Sequence, residues 1–171
     1  EKANIYIDDT PGLEAVELRS RARRMKNING VGLIVIDYLQ LMNYGKFSRD
    51  GRQRETMAIS GAIKAMAKEL KVPVIVLSQL SRATEGRGDN FPKLSDLRDS
   101  GAIEQDADIV MLLYRASYYQ QGDDRNLDNL AILDVAKYRH GSTGRVRMSF
   151  QREFTRFEDR NEEDDEFNEQ E

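Results

Sequence analysis

Residues 31–42 read VGLIVIDYLQLM. Val31 to Ile36 is an apolar run bounded upstream by Gly30, and it ends on a single carboxylate, Asp37. A run with no polar alternation suits a strand covered on both faces, as in a parallel sheet. An acid at the carboxyl end of such a strand faces the crevice where α/β proteins bind ligands. In nucleotide hydrolases a carboxylate there holds the water shell of Mg²⁺. An Asp at that position also serves simply to cap the following loop, and the run alone leaves both readings open.

Working outward, Val74 to Leu77 repeats the pattern and reaches Ser78-Gln79. Between the two runs, Ile59, Ile63, Met66, Ala67 and Leu70 fall on one helical face. Upstream, Ile5 to Ile7 reads as a short strand, Thr10 as an N-cap with Pro11 at the first helical position, and Ala15, Leu18, Ala22 and Met25 as helix. Asn29-Gly30 stops that helix. Residues 43–54 read as a polar loop, and 81–101 (SRATEGRGDNFPKLSDLRDSG) as a largely mobile one. Ala102 to Ala107 fits one helical turn and Ile109 to Tyr114 a strand. Leu130 to Ala136, Arg145 to Phe150 and Phe154 to Phe157 read as closing strands, with a Gly-rich turn at 141–144. The order β-α-β-α-β-loop-β and then β-β-β predicts an α/β fold, a mostly parallel sheet flanked by helices with an antiparallel edge.

The chain has 171 residues, enough for one domain with a substantial core. Cysteine is absent and His140 is the only histidine, which argues against thiolate or His-based metal centres and a Ser-His-Asp triad. No apolar stretch reaches membrane-spanning length and no signal peptide opens the chain, so a cytoplasmic protein without a membrane partner is expected. Net charge is −4, but residues 158–171 carry nine acids and one Arg. The body, 1–157, is therefore basic at +4, and 158–171 reads as an acidic, disordered tail.

Asp37 and Gln79 would emerge at the same rim of neighbouring strands. Asp37 suits Mg²⁺ held through water, and Gln79 suits a sensor of a terminal phosphate or an ordinary solvated loop residue. Lys137 and Arg139 in AKYRHG alternate along a strand end. They suit either edge charges that discourage sheet aggregation or bases that reach a phosphate, including one bound by a neighbouring subunit. In SDLRDSGAIEQDAD (95–108), Arg98 and the N–H groups near Gly101 suit phosphate contact or a surface salt-bridge loop. No G-x-x-x-x-G-K-[ST] is present. Gly45-Lys46 comes nearest, but Gln40 and Phe47 break the pattern.

Taken together, IDDTPG (7–12), RARRMK (21–26), VIDYLQLM (35–42), AMAKELKVPVIVLSQLSR (65–82), SDLRDSGAIEQDADIVMLLYR (95–115) and AKYRHGSTGRV (136–146) resemble the carboxyl-terminal motor domain of the bacterial replicative DNA helicases, the DnaB family. The resemblance covers residues 3–158. It implies a RecA-like ATPase core in a homo-hexameric ring around single-stranded DNA, with ATP and Mg²⁺ at subunit interfaces, and with primase and a helicase loader as partners. Asp37 matches the Walker B carboxylate, the metal-facing group. Gln79 matches the phosphate-sensing Gln, and Lys137 and Arg139 the basic pair acting in trans. Arg98, Asp99 and Gly101 match the loop that grips the DNA backbone. The chain departs from the family pattern at Gly61, Asp99, Tyr138 and His140, where Arg, Glu, Gln and Asn are more usual. It also lacks the Walker A strand and loop, so it reads as the second half of a motor domain, inactive alone. The rival expectations are a non-catalytic module that binds DNA or caps a helicase ring, and a recombinase-like or circadian-type RecA-core ATPase.

Overall fold

A computed structural model of the chain describes residues 4–45, 47, 51–81, 87, 90–119 and 129–160, with backbone alone at 98–100, 116 and 119. These residues divide into two units. The first joins the chain up to Gln79 with Leu97–Asp106, and the second joins Leu80–Asp96 with the chain from Ala107.

In the first unit, helix α1 (Ala15–Asn29) and helix α2 (Arg52–Leu70) pack on a parallel strand pair, β1 (Ile34–Ile36) and β2 (Val74–Val76). The helical spacing read from α2 holds: Ile59, Ile63, Met66 and Leu70 are all buried. They meet Ala15 and Ala22 of α1, together with Ile36, Leu39 and Met42. Gly30 ends α1 in the left-handed region, φ +67°, with its N–H on the Lys26 carbonyl at 3.0 Å. A short helix α3 (Gly101–Asp106) adds Ile103 to this core, and Ser60 Oγ donates to Asp106 Oδ2 at 2.7 Å. Ile59 has no exposed surface. Ile59→Ala removes three carbons from a filled site and is expected to cost about 3 kcal/mol, read as a lower urea-unfolding midpoint.

Several expectations for this unit need correction. Ile5 to Ile7 forms no strand, because nothing among the described residues pairs with it, and Ile7 is 88% exposed. Thr10 does not cap α1: its N–H and Oγ1 both donate to Asp8 Oδ1, and the chain turns at Pro11-Gly12 before the helix starts at Ala15. β1 is three residues long, half the expected run, and one face stays open, with Val35 57% exposed. Helix α2 starts at Arg52, inside the stretch read as loop, with Gly51 as its N-cap.

The second unit holds an antiparallel meander of β3 (Ile109–Arg115), β4 (Leu130–Tyr138), β5 (Gly144–Gln151) and β6 (Arg156–Asp159), with a one-turn helix α4 (Ala116–Tyr119) after β3. Leu112, Ala131 and Phe150 are buried in it, and the Arg115 guanidinium lies 3.9 Å above the Phe150 ring. The register runs Val110↔Lys137 and then Met111↔Val135, so Ala136 is a bulge immediately before Lys137. At the turn joining β4 to β5, Gly141 lies against the Tyr138 ring. A Cβ there would sit 2.3 Å from Cε1 of the Tyr138 ring.

Among the described residues the parallel and antiparallel parts are two sheets rather than one sheet with an antiparallel edge: one parallel pair in the first unit, and three antiparallel pairs joining four strands in the second. Short turns at 139–143 and 152–155 join β4, β5 and β6, and such turns produce antiparallel neighbours, whereas parallel strands need a crossover. β6 reaches Asp159, two residues beyond the boundary expected for the tail, and 161–171 lie outside the described residues. Nor is the 81–101 stretch wholly loop. Leu94–Ser100 is 3-10 helix with a kink at Leu97, and Asp96 is buried. Residues 82–86 and 88–89 lie outside the described residues.

Candidate functional site

Asp37 is the first residue past β1 and is exposed; Gln79 lies three past β2 and is exposed. The two strands run parallel, so both residues leave at the same rim. The ladder continues beyond the strands: Leu77 N–H donates to the Ile36 carbonyl and Leu39 N–H to the Leu77 carbonyl, both at 2.9 Å. The Asp37–Tyr38 peptide bond is cis.

Gln40 ties the two exits together. Its Nε2 donates to Ser78 Oγ at 3.0 Å, and the Gln79 N–H donates to its Oε1 at 3.3 Å. The sequence reading passed over Gln40, although an amide inside an otherwise apolar LQLM turn, three residues past the acid, was a usable signal. Behind it, Arg52 donates to the Gln40 carbonyl and, at 2.7 Å, to Glu55 Oε2, while Tyr44 N–H donates to Glu55 Oε1 at 2.9 Å.

Glu55 is buried. The Tyr44 N–H holds its carboxyl below the ordinary 4.5; burial opposes this and Arg52 adds to the lowering. A carboxyl depressed on folding stabilises fully above its ordinary value, and that contribution is lost as pH falls through the folded value. Glu55→Gln is therefore expected to flatten the loss of stability below about pH 4.5, with no change in slope near neutrality. Urea midpoints measured across that range check it.

Among the described residues no cluster of three or more His, Asp or Glu stands ready to hold a metal alone. Asp37 is a single exposed carboxylate at this rim, a donor count that suits Mg²⁺ better than a metal held by protein ligands alone. That ion keeps several waters and takes one or two carboxylates plus substrate phosphates.

Lys137 pairs with Val110 within β4, and Arg139 lies just past the strand in the turn. Arg139 N–H donates to the Asp108 carbonyl at 2.8 Å, which continues the ladder, and its guanidinium stands 3.7 Å from Asp108 Oδ1. Its side chain is 44% exposed. A pocket of about 550 Å³ opens nearby in the same unit, lined by Phe91, Lys93, Ser95, Asp134, Thr143 and Arg145 among others. Neither Lys137 nor Arg139 lines it. Lys137 is half-buried in the strand, and Arg139 is exposed in the turn.

Gly101 opens α3 and is exposed. Arg98 and Asp99 precede it in the 3-10 segment, and their side chains lie outside the described residues.

The architecture is shared with solved structures. One, described as a DnaB-like replicative helicase and its interactions with primase, superposes with a TM-score of 0.83 at 40% identity, over 90% of this chain and 36% of that one. Another, described as an ATPase domain, gives 0.79 at 40% identity over 88% of this chain and 52% of that one. The fold class is thus that of an α/β helicase ATPase domain. The chain belongs to the DnaB-like helicase C-terminal domain family, whose model matches residues 1–159. Curated relatives include the replicative DNA helicase DnaB of Geobacillus stearothermophilus, 50% identical over 155 residues, and the replicative DNA helicase DnaC of Bacillus subtilis, 49% identical over 157. Each alignment covers 91% of this chain and 34% of the relative, so the chain spans about a third of their length. Among the described residues, no helix is long and apolar enough to cross a membrane.

Proposed function

We propose that this chain is the second half of the RecA-like motor of a replicative DNA helicase, which couples ATP hydrolysis to movement along single-stranded DNA and to duplex unwinding. The observation that carries this reading is the shared rim: an acid and an amide leave adjacent parallel strands and are linked through Gln40. Family membership and the exposed Arg139 turn support it. A three-residue parallel pair is too small to stand alone, and among the described residues both of its edges are unpaired, which supports a domain completed by a further strand and a phosphate-cradling loop.

In this reading Asp37 orients the water shell of Mg²⁺. Magnesium, when bound there, would supply charge neutralisation at the nucleotide phosphates. Gln79 donates to the terminal phosphate and loses that partner once the phosphate departs. Lys137 and Arg139 meet the nucleotide of the neighbouring subunit in a hexameric ring, where a guanidinium offsets charge developing on the transferred group. Arg98, Asp99 and Gly101 hold the DNA backbone. A grip on phosphates without base reading suits travel over any sequence. Primase and a loader are the protein partners of the complete molecule.

The test is unwinding of a forked duplex by the complete protein, with ATP turnover stimulated by single-stranded DNA. The chain alone, with no phosphate-cradling motif in its sequence, is expected to show no turnover above background. Arg98→Ala in the complete protein should weaken single-strand binding and reduce the salt slope by about 0.7 for each subunit whose phosphate contact is lost. An unchanged slope removes Arg98 from the DNA loop. Absence of unwinding in the complete protein removes the motor reading.

A further inference from the structure

Asp96 is 4% exposed, yet it carries a charge. A buried carboxylate persists only when paired and fully hydrogen-bonded. Arg87 supplies the pairing with a two-pronged grip: Nη1 donates to Oδ1 at 2.9 Å and Nη2 donates to Oδ2. Lys93 N–H adds a third donor to Oδ2 at 2.7 Å. The second Arg87 nitrogen also donates to the Phe91 carbonyl at 3.1 Å. Finally, the Ser81 N–H donates to the Asp96 backbone carbonyl at 2.9 Å, so the two ends of this stretch are joined directly. Burial pushes the Asp96 carboxyl up, but Arg87 and the Lys93 N–H outweigh it and hold the group ionised below the usual range.

The position of this knot along the chain gives it a second meaning. Gln79 stands two residues before Ser81, and Arg98 two residues after Asp96. Two residues span at most about 7 Å of extended chain. The covalent path from Ser81 to Asp96 passes through fourteen intervening residues with no periodic pattern, whereas the hydrogen-bonded path is one step.

We propose that Arg87 and Asp96 are positioning residues that clamp the exit of the sensor strand to the lead-in of the DNA loop, so that the nucleotide state met by Gln79 sets the grip at Arg98. This rests on the motor reading above. Neither residue touches nucleotide or DNA. Each acts by making the Ser81–Asp96 junction stiff enough to transmit a displacement.

The experiment uses the complete protein and three variants: Asp96→Asn, Arg87→Lys and Gln79→Ala. Each is measured for turnover without DNA, turnover with saturating single-stranded DNA, and DNA affinity with a non-hydrolysable ATP analogue against ADP. Coupling energies of this kind correspond to factors of about 5–150. Asp96→Asn and Arg87→Lys are expected to keep DNA-free turnover within about twofold while DNA stimulation and the affinity ratio fall about tenfold toward unity. Adding Asp96→Asn to Gln79→Ala should cost no further coupling, because residues on one path are non-additive. If Asp96→Asn does not assemble, Arg87→Lys decides, since it keeps the charge and loses the fork geometry. Loss of DNA-free turnover in parallel with stimulation would mean a merely structural pair and overturn the proposal. If Gln79→Ala itself leaves coupling intact, the sensor assignment fails. If Gln79→Ala uncouples and the clamp variants do not, only the clamp is wrong.

Discussion

Asp37→Ala in the complete protein is expected to lower ATP turnover about a thousandfold, with the folded assembly retained. Charge neutralisation around a transferring phosphoryl group contributes several kcal/mol, and each 1.36 kcal/mol is about tenfold in rate, so three decades correspond to ~4 kcal/mol. Asp37 is well placed for a clean test. It is exposed, and the hydrogen bonds that tie the rim together run through Gln40, Ser78 and backbone groups rather than its carboxylate. The substitution should therefore leave the melting temperature within the small range usual for exposed sites. Asp37→Asn keeps the shape and removes the charge, and should be nearly as inactive if the group faces a cation. Steady-state turnover measured beside ring assembly by sedimentation checks both. Retention of more than about a tenth of wild-type turnover, below about 1.4 kcal/mol of effect, would mean the carboxylate does not face the metal.

What could be read from the chain, and what could not, follows the reach of each interaction. Ile59, Ile63, Met66 and Leu70 were legible because helical period is written in neighbouring residues, and all four are buried. Gly30 was legible for the same local reason: a left-handed stop after a periodic run. The position of Asp37, just past β1 and exposed, was legible because the apolar run points to it. Thr10 misled because a cap signal is only an oxygen awaiting an N–H: the helix starts five residues later, at Ala15, and the Thr10 oxygen accepts from Arg21 Nη1 at 2.7 Å instead. Gln40 stood out as an amide in an apolar turn, but its partnership was not legible, because Ser78 lies 38 positions on in the chain. Arg87 and Asp96 were hidden in a stretch that lacks any period. Ion pairs leave no periodic trace, and four bases in a Gly-rich segment look like solvated loop. The sheet was half legible. Strand positions came from composition, but the partition into a parallel pair and an antiparallel meander depends on how the connections fold back.

The same contrast applies to the Lys137–Arg139 turn. Alternation suggested two bases on one face, and pairing does run unbroken from Lys137 through Tyr138 to the Arg139 N–H. The bulge at Ala136 resets the alternation just upstream, so the orientation of Lys137 could not have been inferred from Val135 or anything before it. Tyr138 has its ring against Gly141, where an added Cβ would force the ring to move. The turn that carries Arg139 is thereby packed by a residue the spacing argument set aside.

Arg139→Ala should reduce turnover by about a thousandfold or more, the usual range for a trans-acting arginine. Arg139→Lys should recover only part of that, because an ammonium lacks the planar fork. The stronger result concerns mixtures. If Asp37 serves the nucleotide on its own subunit and Arg139 serves the neighbour's, a ring of identical subunits has heterologous interfaces, each built from one copy of each residue. An Arg139→Ala subunit still offers an intact Asp37, and an Asp37→Ala subunit still offers an intact Arg139. Where they meet in the right order, a complete site forms between two defective chains. With equal amounts and random assortment, about a quarter of interfaces regain both groups in a head-to-tail ring. Co-assembled variants should then hydrolyse ATP far above the sum of the separate preparations, with subunit exchange confirmed by fluorescence transfer between labelled chains. A mixture that exchanges subunits and stays as inactive as its parents would place both groups in the same subunit's site and end the trans assignment.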